Sequence, residues 1–282
     1  MPARFEILPF GRGVDEAAEL PEHVRLTVTA SPTHALDDTV EVATRLRALG
    51  HAVTVHLAAR MVRDRAHLDE LLGAMAASGV DDAFVVGGDA TPPRGAYASA
   101  LELLPLIQEH PRRPATIGIA GYPEGHPLID STVLTQALEH KSPRANYIAT
   151  QLCFDPQALL GWVRNTREAG ISLPVFVTVP GMVDRRRLLE ISARVGVGPS
   201  LRYLRKQGGL RNILRMSKSS TDRLYDAIEP CLDDPQLNLA GFHYVTFNRL
   251  LATWRWEHEK RSRTPAEIGS ELPFSRGRSE RR

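Results

Sequence analysis

The sequence predicts a (β/α)8 TIM barrel, and three observations carry that expectation. Eight short, β-branched runs alternate with longer amphipathic stretches along 282 residues. This is the pattern of parallel α/β folds, with the strand number that closes a barrel. Several runs are almost continuously apolar, as strands covered on both faces require. No GxGxxG follows the first run, which weakens the rival reading, a doubly wound open sheet.

In chain order, strands are expected at 5–8, 24–29, 52–57, 82–86, 116–120, 147–152, 175–179 and 241–246. A helix is expected at 37–49, where Val40, Ala43, Leu46 and Leu49 recur at helical period. Residues 66–77 repeat the pattern with Leu68, Leu71, Leu72 and Met75, and Gly79 is placed to end that helix. Further helical patterns lie at 97–108, 128–140, 156–169, 185–194 and 219–228. Residues 196–216 form an insertion before the last strand. Its Arg202, Arg205, Lys206, Arg211 and Arg215, with Lys218 beyond, make it basic. Trp254 and Trp256 follow the last strand and are expected to pack a closing helix or a contact in a homo-oligomer. The barrel domain is expected to span 1–260, and 261–282 loses all periodicity and reads as a mobile tail.

Composition narrows the function. Apolar residues make up 43% and charged residues 24%, enough for a sizeable core, and the net charge of +2 gives no argument for nucleic acid. The basic insertion has only Tyr203 as interleaved aromatic, so a solvated face or a site for nucleotide phosphates or a polyglutamate suits it better. Cys153 and Cys231 form no CxxC pair, which points to a reducing compartment and no structural metal. The first residues lack the apolar core of a signal peptide and no run is long enough to span a membrane, so a cytoplasmic protein is expected.

In this fold, chemistry gathers at the C-terminal ends of the strands. Those ends deliver Glu6, Thr29, His56, Asp89, Tyr122 with His126, Gln151, Pro180-Gly181 and Asn248-Arg249. Each has a plainer use taken alone. Glu6 could be a peripheral ion-pair partner, His56 a core histidine and Asp89 a helix cap. Gln151, at the end of an apolar strand, offers a donor and acceptor pair that suits an amide-like heterocycle.

Taken together, these segments resemble the methylenetetrahydrofolate reductase family. The matching stretches are Phe5-Glu6, His56-Leu57, Gly88-Asp89, Gly121-Tyr122-Pro123-Glu124-Gly125-His126-Pro127 and Ile148-Ala149-Thr150-Gln151-Leu152. Pro180-Gly181 and Phe242-His243-Tyr244-Val245-Thr246-Phe247-Asn248-Arg249 complete the series, which covers about residues 4–256 in order. The resemblance implies reduction of 5,10-methylenetetrahydrofolate by NADH or NADPH. It matches Glu6 to the general acid, Asp89 and Gln151 to groups that bind the pterin, and Phe247 and Arg249 to the substrate side. Thr29, His56, Gly88, Tyr122 and His126 fall where the family lines its flavin pocket. The chemistry then asks Glu6 to hold a proton near neutral pH, through burial or a nearby carboxylate such as Asp89.

Several positions depart from the family pattern. Gly87-Gly88-Asp89 stands where members holding FAD have Arg-Gly-Asp, and Glu139 where a basic residue meets the flavin phosphates, with Lys141 close by. Met182-Val183-Asp184-Arg185 lacks the usual aromatic, and Thr29-Ala30-Ser31-Pro32 lacks the tyrosine-glycine turn. Loss of cationic partners predicts weak or absent FAD binding and direct hydride transfer from the nicotinamide. The alternatives are a folate-dependent one-carbon or methyl-transfer barrel and a non-catalytic folate-binding protein. Retention of Glu6 argues against the latter, because a pure binder needs no proton donor.

Overall fold

The computed structural model describes residues 3–182 and 217–262. Eight parallel strands close into one barrel in chain order: β1 (Arg4–Ile7), β2 (Arg25–Val28), β3 (Ala52–Ala58), β4 (Asp82–Val86), β5 (Thr116–Gly121), β6 (Tyr147–Thr150), β7 (Val175–Pro180) and β8 (Leu239–Val245). The seam is sealed where β1 pairs β8, with Arg4 opposite His243 and Glu6 opposite Val245. Closure decides against the open sheet. A register shift where β7 meets β8 puts Val175 opposite Leu239 and Phe176 opposite Gly241.

The described helices are α1 (Arg12–Ala17), α2 (Leu36–Ala48), α3 (Arg65–Ser78), α4 (Ala100–Gln108), α5 (Ser131–Lys141), α6 (Pro156–Glu168), α7 (Ser217–Ile228) and α8 (Leu250–Ser262). Local chemistry sets their ends. The Asp64 carboxylate accepts from His67 N at 2.8 Å to start α3, and Gly79 ends it at φ 71°. Asp155 accepts from Gln157 N and Ala158 N ahead of Pro156, which needs no partner at the first helical position. Asp130 accepts from Thr132 N, so α5 begins at Ser131 rather than at 128, and Leu128 and Ile129 stay in the loop. The α4 helix begins at Ala100, not 97, because the Glu102 carboxylate holds Ala98 N and the Ser99 hydroxyl outside the helix. Helix α8 runs through Ser262, two residues into the stretch read as a tail. The helix expected at 185–194, the insertion at 196–216 and the tail from 263 onward lie outside the described residues.

The strands bury side chains on both faces, under the helices outside and within the barrel. Outward residues such as Phe5, Ile7, Val55, Leu57, Val85 and Ile119 are buried beneath the helices. Tyr244 and Trp256 join this outer layer: Trp256 sits edge-on to Tyr244 at 5.9 Å and donates to Asp222 at 3.2 Å, packing the closing helix as expected.

The inward residues form a polar floor. Arg4 Nη1 donates to Asp82 Oδ2 at 2.9 Å and to Thr54 Oγ1 at 3.2 Å, and Tyr147 donates to Asp82 Oδ1 at 3.0 Å. The guanidinium lies 4.2 Å from the Tyr147 ring centre and 4.3 Å from that of Phe176. Gly118 is required here, since a Cβ on it would stand 2.2 Å from the Tyr147 ring. This polar group occupies the N-terminal end of the barrel, at the starts of β1, β4 and β6.

Candidate active site

Strand alternation turns Glu6 inward, one step above Arg4. Glu6 Oε2 lies 2.9 Å from His243 Nε2 on β8 and 3.7 Å from His56 Nε2 on β3. His56 and His243 are buried, and the His56 ring leans on Phe84 at 4.8 Å. Two buried nitrogens remain without a hydrogen bond, Nε2 of His56 and Nδ1 of His243. The Thr29 hydroxyl also biases the Glu6 carboxyl but is buried without a hydrogen-bond partner of its own. Above this group, Thr246 N and Oγ1 both donate to the Glu6 carbonyl, at 3.2 and 2.7 Å.

The charge state of Glu6 differs from the sequence expectation. Burial alone would raise its carboxyl, but the hydrogen bond from His243 and the field of His56 and His243 draw it down to about 2. Asp89 is not among the groups that act on it. Burial pushes His56 down to about 4, against the pull of Glu6. His243 was not singled out in the sequence as a site residue. Its signal was a polar side chain at an inward position of β8, between the outward Phe242 and Tyr244.

A second group lies at the rim. Asp89 is exposed, and its charge adds to burial in raising the Tyr122 phenol. His126 meets Tyr122 edge-on at 5.7 Å. Gly88 turns at φ 84°, and a Cβ on it would stand 2.7 Å from that of Ala58, so its first use is close packing on β3. Nearby cations are committed to backbone carbonyls. Arg60 Nε donates to Ala90 O at 2.8 Å, and Arg94 donates to His34 O at 2.9 Å and Pro32 O at 2.5 Å. Lys141 Nζ donates to Ala120 O at 3.3 Å, and burial pulls its ammonium down to about 8.

The third group joins β6 to β8. Gln151 is half-buried just past β6, its backbone N donating to Gly121 O at 2.6 Å. Phe247 packs on Leu152 and Phe154, and adopts φ 50° next to Asn248 at φ 61°. This left-handed pair is held by the Asn248 carboxamide, which accepts from Leu8 N at 2.9 Å and donates to Phe10 O. Arg249 follows, half-buried, with its Nε buried and unpaired. The expected residues thus gather as Glu6 with Thr29 and His56, Asp89 with Tyr122 and His126, and Gln151, Phe247 and Arg249 on the β6 and β8 side.

The chain is similar to known proteins in sequence and in fold. The family model described as methylenetetrahydrofolate reductase matches residues 14–194. Methylenetetrahydrofolate reductase 2 of Saccharomyces cerevisiae is 27% identical over 180 residues, 59% of this chain and 29% of that protein. Methylenetetrahydrofolate reductase (NADH) 1 of Arabidopsis thaliana is 26% identical over 200 residues, 64% of this chain and 30% of that protein. The chain spans less than a third of the length of these curated relatives. Among solved structures, an uncharacterized protein from Clostridium thermocellum that binds two copies of 5-methyl-5,6,7,8-tetrahydrofolic acid superposes with a TM-score of 0.65. That match is 13% identical and covers 91% of this chain and 95% of that one, a likeness of fold. On the extent of the family match, this chain belongs to the methylenetetrahydrofolate reductase family.

Proposed function

We propose that this protein reduces 5,10-methylenetetrahydrofolate to 5-methyltetrahydrofolate with NADH or NADPH. The observation that carries the reading is Glu6, a half-buried carboxyl at the mouth end of the barrel in hydrogen-bond contact with an imidazole. Proton delivery to N10 breaks its bond to the bridging carbon and leaves a 5-iminium cation, and hydride from the nicotinamide then adds to that carbon. Glu6 is the proton donor, and general acid catalysis of this kind contributes about 10²–10⁴-fold. Asp89 is assigned to the 2-amino and N3 edge of the pterin, which a carboxylate can accept from twice, and Gln151 to the same ring. Arg249, with an unspent Nε, is assigned to a substrate carboxylate, with Phe247 beside it. The folate ligand of the Clostridium thermocellum protein is consistent with a pterin in this kind of barrel.

The side chains assigned to the flavin pocket support weak or absent FAD binding. Thr29, His56, Gly88, Tyr122 and His126 bring no fixed positive charge for a pyrophosphate. Arg60, Arg94 and Lys141 are bound to backbone carbonyls. In this reading hydride passes directly from nicotinamide to the iminium carbon, and the five residues wall the nicotinamide side.

The test is NADH oxidation on adding methylenetetrahydrofolate to protein stripped of flavin. Turnover without flavin supports both parts of the reading. Turnover only after FAD is added keeps the reduction and removes direct transfer. Silence in both conditions, with folate still bound, gives first place to a folate-dependent transferase or binder.

A further inference from the structure

A general acid must carry a proton when N10 needs it, yet the Glu6 carboxyl sits at about 2. At neutral pH it would be a bare carboxylate without a source of protons. The groups that face it are few. His243 on β8 stands 2.9 Å away, His56 on β3 stands 3.7 Å away, and the Thr29 hydroxyl approaches from the end of β2. His56 has the Phe84 ring behind it.

We propose that Glu6 and His243 form one proton-holding pair, in which His243 Nε2 stores the proton that Glu6 delivers to the pterin, with His56 as a positioning residue. The pairing rests on geometry. The identity of the acceptor rests on the reductase reading. Nε2 of His243 is the only imidazole nitrogen at hydrogen-bond distance from Glu6 among the described residues. Nδ1 of His243 is buried without a hydrogen-bond partner, so the Glu6 carboxylate is the one hydrogen-bond partner of this ring among the described residues.

The step balances. Glu6 takes the proton from His243 Nε2 and gives a proton to N10 as the bond between N10 and the bridging carbon breaks, its electron pair staying on N10. The iminium carbon accepts hydride from the reduced nicotinamide, which leaves oxidised. His243 ends neutral and regains one proton from water after product release. The overall demand is one proton per turnover. His56 Nε2 stands 3.7 Å from the same Glu6 oxygen that His243 contacts, and helps to hold that oxygen in place.

Two measurements test the pair, one of them independent of activity. In ligand-free protein labelled with 13C at glutamate carboxyls, His243→Gln should raise the Glu6 titration clearly above its wild-type midpoint. An unchanged midpoint overturns the pair. In the assay, His243→Gln keeps a neutral hydrogen bond to Glu6 but stores no proton. Turnover should fall about 100-fold near pH 8 and far less near pH 6, with KM for the folate unchanged. An equal loss at both pH values marks a merely structural histidine and overturns the proposal. Should His243→Gln fail to fold, single turnovers of wild-type protein in mixtures of H2O and D2O decide instead. A bowed dependence on deuterium fraction reports two protons in flight, and a straight line overturns the relay. If wild-type protein never oxidises NADH with methylenetetrahydrofolate, the reductase reading falls, while the carboxyl titration still decides the pair.

Discussion

Arg4 and Asp82 are paired at 2.9 Å across the floor of the barrel, 78 residues apart in sequence. The guanidinium is held between two aromatic rings, and Thr54 and Tyr147 complete the hydrogen bonding of the carboxylate. Arg4→Met leaves the Asp82 charge in place without its cation and is expected to cost about 3–5 kcal/mol in urea unfolding. Arg4→Met combined with Asp82→Asn should recover part of that loss. A single-variant cost under about 1 kcal/mol would show that water already screens the pair.

Gly118 and Tyr147 share one space on the same floor. A methyl at Gly118 meets the ring at 2.2 Å, so Gly118→Ala should destabilise by about 1–3 kcal/mol and disturb the Tyr147 hydrogen bond to Asp82. Gly161→Ala on α6 is the control, because nothing lies within 4 Å of its Cβ position. It should stabilise by up to about 1 kcal/mol. Equal unfolding midpoints for the two variants would contradict the packing assigned to Tyr147.

Acid should loosen the fold through His56. Burial lowers this imidazole from 6.5 to about 4, so between those values the unfolded chain binds the proton that the folded chain refuses. Stability therefore rises with pH across that window and is lost on acidification, by on the order of 3 kcal/mol from this group. Glu6 acts lower down, its contribution present above 4.5 and lost as pH falls toward about 2. His56→Gln should flatten the profile of thermal midpoint against pH between about 6.5 and 4. A profile as steep as wild type would remove His56 as the cause.

Lys141 predicts the opposite arm. Its ammonium is drawn from 10.5 to about 8 by burial, so the unfolded chain holds that proton more tightly between these values. Stability should rise with pH through the same window. Lys141→Met should stabilise the protein at neutral pH, by about 1–3 kcal/mol, and erase that rise. Its KM for NADH should stay within about twofold, because the ammonium is bound to the Ala120 carbonyl. A tenfold increase would assign Lys141 to the nucleotide instead.

The strands were legible because a parallel strand covered on both faces reads as an apolar run. The sequence reading began β1 at Phe5, whereas the strand opens at Arg4, whose charge is met by Asp82, far along the chain. Helix α1 was missed because its six residues bury only Gly13 and Ala17 and show no apolar repeat. The polar ends of β1 and β3 bring Glu6 and His56 to one spot. The supposed influence of Asp89 on Glu6 was not legible, since it depended on the path of the loop after β4. That loop carries Asp89 out to Tyr122. His243 was hidden inside its strand, where alternation marks direction but not partner.

Glu6 and His243 lie 237 residues apart, on the two strands that meet at the seam. Glu6 therefore has no hydrogen-bonded imidazole until the last strand docks on the first, late in synthesis as well as in space. A nascent chain, or one cut before β8, would hold Glu6 in a different electrical setting and lack the Thr246 tether to its backbone. The charge setting of Glu6 thus depends on completed closure of the ring.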